Sequence, residues 1–292
     1  MTPASTHTVP LAGRDVARVG YGAMQLTHGG HVAPDTAVAV LRLAADSGAN
    51  HIDTAWFYGA GACNALIREA LAPYPENLVV ATKLGADNTA DGGLVPAQHP
   101  EQLRRQVDAN LTSLGVDCLD VVYLRRADFA PGIIAEGDQK ADIDDQLAEL
   151  AALRDAGKIH SIALSNVDAD QLRHALPVGI EAVQNAYNLL DRETEPVLEA
   201  CREHGIAWIP YIPLGSAFPG YPKVAEDATV LAVARELGAT ASQIGLAWLL
   251  AHYERTLLIP GTANPEHLAE NLAAADVELG PDAMARLDAL AR

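Results

Sequence analysis

The sequence predicts a (β/α)8 TIM barrel on three observations. Short apolar strands alternate with helical stretches eight times along 292 residues. Helical stretches stop at Gly48, Gly115, Gly157 and Gly205, and glycine ends helices by taking the left-handed conformation. The alternation itself closes most simply into a parallel barrel, one domain spanning 1–292. An open doubly wound sheet is disfavoured, because Gly20-Tyr21-Gly22-Ala23-Met24 lacks the third glycine of a G-x-G-x-x-G turn.

Taken in order, the chain opens with Thr8–Arg14, whose Ala12-Gly13 centre predicts a hairpin capping the barrel floor. The eight strands fall at Val16–Gly20, Asn50–Asp53, Leu78–Lys83, Cys118–Leu124, Ser161–Ser165, Ala182–Gln184, Ala207–Ile212 and Leu257–Pro260. Helices fall near Asp35–Ser47, Ala62–Ala72, Pro100–Leu114, Ile143–Ala156, Asp168–Ala175, Arg192–His204, Ala241–His252 and Pro265–Ala274. An extra C-terminal helix, Pro281–Leu290, packs outside. Three connections are long, Leu84–Gln98, Arg125–Asp142 and Pro213–Asp227. Each follows a strand and so lies at the mouth that carries the active site in such barrels.

Composition narrows the function. A net charge of -18 argues against nucleic acid or an anionic membrane as partner. No apolar run is long enough to span a bilayer, and Met1–Leu11 has no signal-peptide pattern. The three cysteines, Cys63, Cys118 and Cys201, have neither metal-ligand nor disulfide spacing, which predicts reduced thiols and a cytoplasmic protein. His28, His31 and His51 lack a third ligand at workable spacing, so no metal site is expected; His28 is retained as a candidate substrate-loop residue.

The chemistry concentrates in Asn50-His51-Ile52-Asp53-Thr54-Ala55-Trp56-Phe57-Tyr58-Gly59. A strand delivers Asp53 to its C-terminal end, Tyr58 follows in the loop, and the next strand ends in Lys83. A phenol with a pKa near 10 is a weak acid at neutral pH, and a nearby ammonium lowers it. Lys83 supplies that ammonium and Asp53 holds it, which suits protonation of a carbonyl oxygen. Lys83 as a Schiff-base nucleophile is the competing use of the same residue.

These residues resemble the aldo-keto reductase family. Leu164-Ser165-Asn166, Val183-Gln184-Asn185-Ala186-Tyr187-Asn188, Tyr211-Ile212-Pro213-Leu214-Gly215 and Ile259-Pro260-Gly261-Thr262 with Glu270-Asn271 extend the likeness over nearly the whole chain, in order. The resemblance implies a monomeric NADPH-dependent carbonyl reductase acting on a small-molecule aldehyde or ketone, with Tyr58 as proton donor, Lys83 depressing its pKa and Asp53 orienting Lys83. It implies that Ser165, Asn166 and Gln184 bind the nicotinamide amide and that Tyr211 stacks on the ring. Gly22, Ala23 and Met24 border the cofactor on this reading. Pro213, Leu214, Gly215, Ile259, Gly261, Thr262, Asn264, His267, Glu270 and Asn271 complete its site toward the phosphate and adenosine. Gly261 and His267 stand where the family often has Lys and Arg, which leaves NADH open as well as NADPH. Where the family usually has a catalytic His, this chain has Arg125. Arginine cannot relay a proton but can clamp an oxygen, or it can pair with Asp128 or Asp138. The Arg variant resembles a bacterial branch that includes enzymes reducing pyridoxal. A non-catalytic NADP(H)-binding redox-sensing subunit is the alternative the same resemblance leaves open.

Overall fold

A computed structural model describes residues 8–27, 32–215 and 222–290. His28, His31 and the end of the chain beyond 290 lie outside these residues.

A hairpin of β1 (Thr8–Leu11) and β2 (Arg14–Ala17) leads into the first barrel strand, β3 (Tyr21–Gly22). Then follow α1 (Pro34–Asp46), β4 (His51–Asp53), α2 (Ala62–Leu71) and β5 (Val79–Leu84). A second hairpin, β6 (Ala86–Asn88) and β7 (Leu94–Pro96), precedes α3 (Pro100–Leu114), β8 (Leu119–Arg125), α4 (Ile143–Asp155) and β9 (Ile159–Ser165). The rest is α5 (Ala169–Ala175), β10 (Ile180–Ala186), α6 (Glu195–His204), β11 (Ala207–Tyr211), α7 (Ala228–Leu237), α8 (Ala241–His252), α9 (Pro265–Leu272) and α10 (Pro281–Asp288).

The parallel sheet runs β3-β4-β5-β8-β9-β10-β11. The eighth strand, expected at Leu257–Pro260, is reduced to isolated bridges from Thr256 to Trp208 and from Leu258 to Val19. Its backbone still joins the sheet edges. Leu257 N–H donates to Trp208 O at 2.8 Å, Leu258 N–H to Arg18 O at 2.7 Å and Gly20 N–H to Leu258 O at 2.8 Å. Arg18 reinforces the seam by donating to Leu250 O and Tyr253 O at the end of α8.

Alternation sorts the strand residues. Val79, Ala81, Val121, Tyr123, Ala163, Ala182, Ala207 and Ile209 face the barrel interior. Val80, Val122, Leu124, Ile162, Leu164, Val183 and Trp208 face the helices. Leu11 and Val16 of the hairpin belong to the interior cluster, so the hairpin plugs the floor as expected. It is longer than expected, and it takes Val16 and Ala17 from the predicted first strand, which begins instead at Tyr21. The reason is pairing: Val16 lies opposite Val9 across the hairpin. Ala12 and Gly13 both have positive φ, the turn a two-residue hairpin requires.

Three elements were not expected. The long connection after β5 folds back as β6 and β7, and α7 follows the third long connection. Helix α6 starts three residues later than expected, with Pro196 in its first turn.

Gly20 packs against β4 so closely that a Cβ there would lie 2.3 Å from His51 O. Gly20→Ala should therefore cost about 2 kcal/mol of stability through overpacking. Urea unfolding would read this as a lower midpoint, and an unchanged midpoint would contradict the close approach.

Candidate active site

Asp53 ends β4, Lys83 is the penultimate residue of β5, and Tyr58 sits in the loop after β4. The barrel thus brings together at its C-terminal mouth three residues that were separate in the sequence. Lys83 Nζ donates to Asp53 Oδ1 and, at 3.0 Å, to Thr54 O. Gln184 Nε2 donates to the other carboxylate oxygen, Asp53 Oδ2, at 2.8 Å. Lys83 Nζ lies 4.9 Å from the Tyr58 ring centroid, and Phe57 meets that ring edge-on at 5.3 Å. The ion pair is almost fully buried, at 5 % and 4 % side-chain exposure.

Burial penalises the Lys83 charge, but Asp53 and Tyr58 outweigh it, and the net pKa lies above that of a free lysine. A Lys83 whose charged form is favoured by Asp53 makes a poor Schiff-base nucleophile. For Tyr58, burial raises the pKa and is the largest effect, while the Lys83 charge lowers it and Asp53 raises it. The net direction is upward. The expectation that Lys83 depresses the phenol holds for the contribution of Lys83 but not for the sum, because the ring is packed among apolar neighbours. The hydroxyl therefore keeps its proton at neutral pH, the form a proton donor needs.

Arg125 ends β8 and takes neither expected acidic partner. Its guanidinium donates to Pro131 O at 3.0 Å and Arg126 O at 3.4 Å. Asp128 is held instead by the neighbouring Arg126, through two bonds of 2.8 Å, and Asp138 faces His99 at 3.9 Å. Among the described residues, Arg125 has no carboxylate partner. Arg126 also reaches Ala141 O and Gln146, so it fastens the long loop after β8.

Around the mouth, Ser165 ends β9 and Tyr211 ends β11. Asn166 Nδ2 donates to Arg126 O at 3.2 Å and Phe129 O at 2.9 Å, and its Oδ1 accepts from Tyr211 at 3.1 Å. With Gln184 Nε2 given to Asp53, the Ser165 hydroxyl is the polar group of these three without a hydrogen bond to a described residue. Asn166 and Ile212 both have positive φ, at 57° and 58°. Backbone held in that region by non-glycine residues clusters at ligand sites.

Toward the expected phosphate end, Gly22 N–H donates to Pro260 O and Ala23 N–H to Asp53 O, which ties the turn holding Met24 to both neighbouring strand ends. A Cβ on Gly22 would lie 2.4 Å from Ile259 O, and one on Gly261 would lie 2.5 Å from Gly22 O. Thr262 Oγ1 accepts from Asn264 N–H, and Asn264 Oδ1 accepts from Glu266 N–H, capping α9. His267 is exposed, Glu270 half-buried and Asn271 buried on that helix. Leu214 and Gly215 follow the Tyr211–Pro213 bend, with Gly215 N–H donating to Ile212 O.

A model of the aldo/keto reductase family matches residues 18–292. The chain belongs to the aldo/keto reductase family. It is 40 % identical over 293 residues to pyridoxine 4-dehydrogenase of Escherichia coli (strain K12), covering 99 % of each chain. It is 36 % identical to an uncharacterized oxidoreductase of Schizosaccharomyces pombe, over 96 % of this chain and 89 % of the other. An aldo-keto reductase from Klebsiella pneumoniae, solved in complex with NADPH, superposes with a TM-score of 0.81 at 25 % identity, over 98 % of this chain and 95 % of that one. The chain is thus an oxidoreductase with the barrel of its family.

Sequence reasoning did not find the Gln184–Asp53 bond, the use of Thr54 O by Lys83, or the fastening role of Arg126. The first depends on β10 facing β4 across the mouth, and the second on a backbone oxygen just beyond β4 that turns toward Lys83; no spacing in the sequence encodes either. The third had a signal in the Arg126-x-Asp128 spacing.

Removing Lys83 leaves a buried carboxylate without its cation. Lys83→Met should cost about 3 kcal/mol, and Lys83→Met with Asp53→Asn should cost less than the sum of the single changes. A double-mutant cycle in urea measures this, and additive losses would contradict a coupled pair.

Proposed function

We propose that this chain is an NADPH-dependent carbonyl reductase in which Tyr58 gives the proton to the carbonyl oxygen. The observation that carries the reading is the Lys83 ammonium, held by Asp53 and Thr54 O and aimed at the Tyr58 ring. The cofactor supplies a hydride to the carbonyl carbon when bound. The chain's own residues supply the rest. Tyr58 arrives protonated, because its pKa lies above that of a free phenol. As its proton moves to the oxygen, the phenolate that forms faces Lys83, and a fixed ammonium favours that charge. The carbonyl becomes an alcohol, with one hydride on carbon and one proton on oxygen.

The residues present fit a nicotinamide dinucleotide. The Ser165 hydroxyl has no hydrogen bond among the described residues and lies at the mouth, beside Asn166 with its positive φ and near Tyr211, which bonds Asn166. On this reading Ser165, Asn166 and Gln184 hold the carboxamide and Tyr211 stacks on the ring. The capped N-terminus of α9, with Thr262 and Asn264, receives phosphate. The reductase solved with NADPH supports the choice of cofactor. Helix α9 carries Glu266 and Glu270 but neither Lys nor Arg, so NADH is to be tested beside NADPH.

Arg125 clamps the substrate. Among the described residues its bonds go to neutral carbonyl oxygens and not to a carboxylate, so its charge is left for an anionic or electron-rich oxygen near the reacting carbon. Pyridoxal, an aldehyde beside a phenolic oxygen, presents that pattern, and the relative named pyridoxine 4-dehydrogenase supports it as the first substrate to try.

The deciding experiment follows nicotinamide oxidation by the purified protein with pyridoxal, using NADPH and NADH in parallel. Turnover is expected. Tight NADPH binding without turnover on any carbonyl would contradict the reading and favour a sensing subunit. Tyr58→Phe should lower kcat about 100-fold or more while leaving NADPH affinity nearly unchanged. Arg125→Ala should raise KM for pyridoxal about tenfold, and much less for an aldehyde without the phenolic oxygen; equal effects on both would make Arg125 structural. The pH dependence has a definite sign. Reduction needs the protonated phenol, so its rate holds through neutral pH and falls as pH rises through the raised pKa of Tyr58. Oxidation of the alcohol needs the phenolate and rises over the same interval.

A further inference from the structure

Behind the Asp53–Lys83 pair, between the sheet and the helices, lies a polar cluster that the chemistry above does not use. Thr54 Oγ1 donates to Asn64 Oδ1 at 2.9 Å. Asn64 Nδ2 donates to Asn110 Oδ1 and to Ser113 Oγ, both at 2.9 Å. Thr82 Oγ1 donates to the same Asn110 Oδ1 at 2.7 Å, and Asn110 Nδ2 donates to Gln106 O at 2.8 Å. Thr54, Asn64, Thr82 and Asn110 are all fully buried.

Each end of this cluster abuts a member of the candidate active site. Thr54 follows Asp53, and its carbonyl accepts from Lys83. Thr82 precedes Lys83. Asn64 lies in the first turn of α2, next to Cys63, whose N–H donates to Tyr58 O at 3.2 Å. One bridge of two asparagines thus connects the ends of β4 and β5 to the segment that carries Tyr58. Apolar residues could fill the same space, but apolar packing is non-directional, whereas hydrogen bonds fix distance and angle.

We infer that Asn64 and Asn110 are positioning residues: their bridge sets the spacing of the two strand ends and of α2, and so holds the Lys83 ammonium against the Tyr58 ring. The inference rests on Tyr58 as the proton donor. A shift of about 1 Å between such groups can cost on the order of 100-fold in rate.

The test uses two readouts on Thr82→Val, which removes one bond with little change of shape, on Thr82→Ser, which keeps the hydroxyl, and on Asn64→Leu. The first readout is the 15N resonance of the Lys83 ammonium in the protein without cofactor, identified by its loss in Lys83→Met. It should be sharp in the native protein and in Thr82→Ser, and broadened or shifted in Thr82→Val and Asn64→Leu. The second is pyridoxal reduction: kcat should fall about tenfold or more in Thr82→Val with KM and NADPH affinity nearly unchanged, and Thr82→Ser should recover most of the loss. If Asn64→Leu does not fold, Thr82→Val decides alone. A Thr82→Val protein that loses only thermal stability, with the Lys83 resonance and kcat unmoved, would overturn the inference. If pyridoxal and other carbonyls are not reduced, the proposed function fails, while the resonance still decides whether the bridge positions Lys83.

Discussion

The buried charge on Lys83 is the constraint on which the site depends. An ammonium that has lost water needs compensation from every side. Asp53 gives it a counter-charge, Thr54 O a second acceptor, and Gln184 occupies the carboxylate oxygen that Lys83 leaves. Asp53 and Lys83 come from the adjacent strands β4 and β5, and Gln184 from β10 across the mouth, so the full set of partners assembles only when the barrel is closed. The site and the fold are therefore coupled: what stabilises the charge is the same geometry that brings Tyr58 to it.

Two opposing effects meet on Tyr58. Apolar surroundings hold the proton on, and Lys83 favours its departure. A reductase needs both. With Tyr58 as the proposed proton donor, the first keeps the acid loaded at neutral pH, and the second lowers the cost of the phenolate that forms when the proton leaves. The surrounding scaffold is arranged to keep that balance fixed. The hairpin fills the barrel floor, the Leu257–Pro260 segment seals the sheet edge, and Arg126 fastens the loop that carries Pro131 to Arg125.

Much of this was legible in the sequence. The helix ends at Gly115 and Gly205 are the left-handed caps that the glycines announced, and Pro100–Leu114 and Ala241–His252 have the expected bounds. Asp53 and Lys83 were readable because each stands near the C-terminal end of a short strand, the end at which such barrels carry their active sites. What was not legible follows from tertiary context. Val16 looked like the start of the first strand, yet its pairing with Val9 assigns it to the floor hairpin. The eighth strand has the right residues, but it meets each sheet edge at a single bridge, Thr256 to Trp208 and Leu258 to Val19, so it closes the barrel without becoming a regular strand. Arg125 and Arg126 are neighbours of the same type, and only the fold shows which of them takes Asp128. Lys83 lowers the Tyr58 pKa as the sequence suggests, while the larger and opposite effect of burial has no signature in a loop sequence.

On the mechanism proposed above, the ionisation of Tyr58 governs carbonyl reduction. Replacing that residue alone with fluorinated tyrosines, whose phenols are progressively more acidic, tests it most directly. The alkaline fall in the reduction rate should move to lower pH step by step with fluorination, while NADPH affinity stays constant. An alkaline limb that does not move would place the proton donor elsewhere than Tyr58.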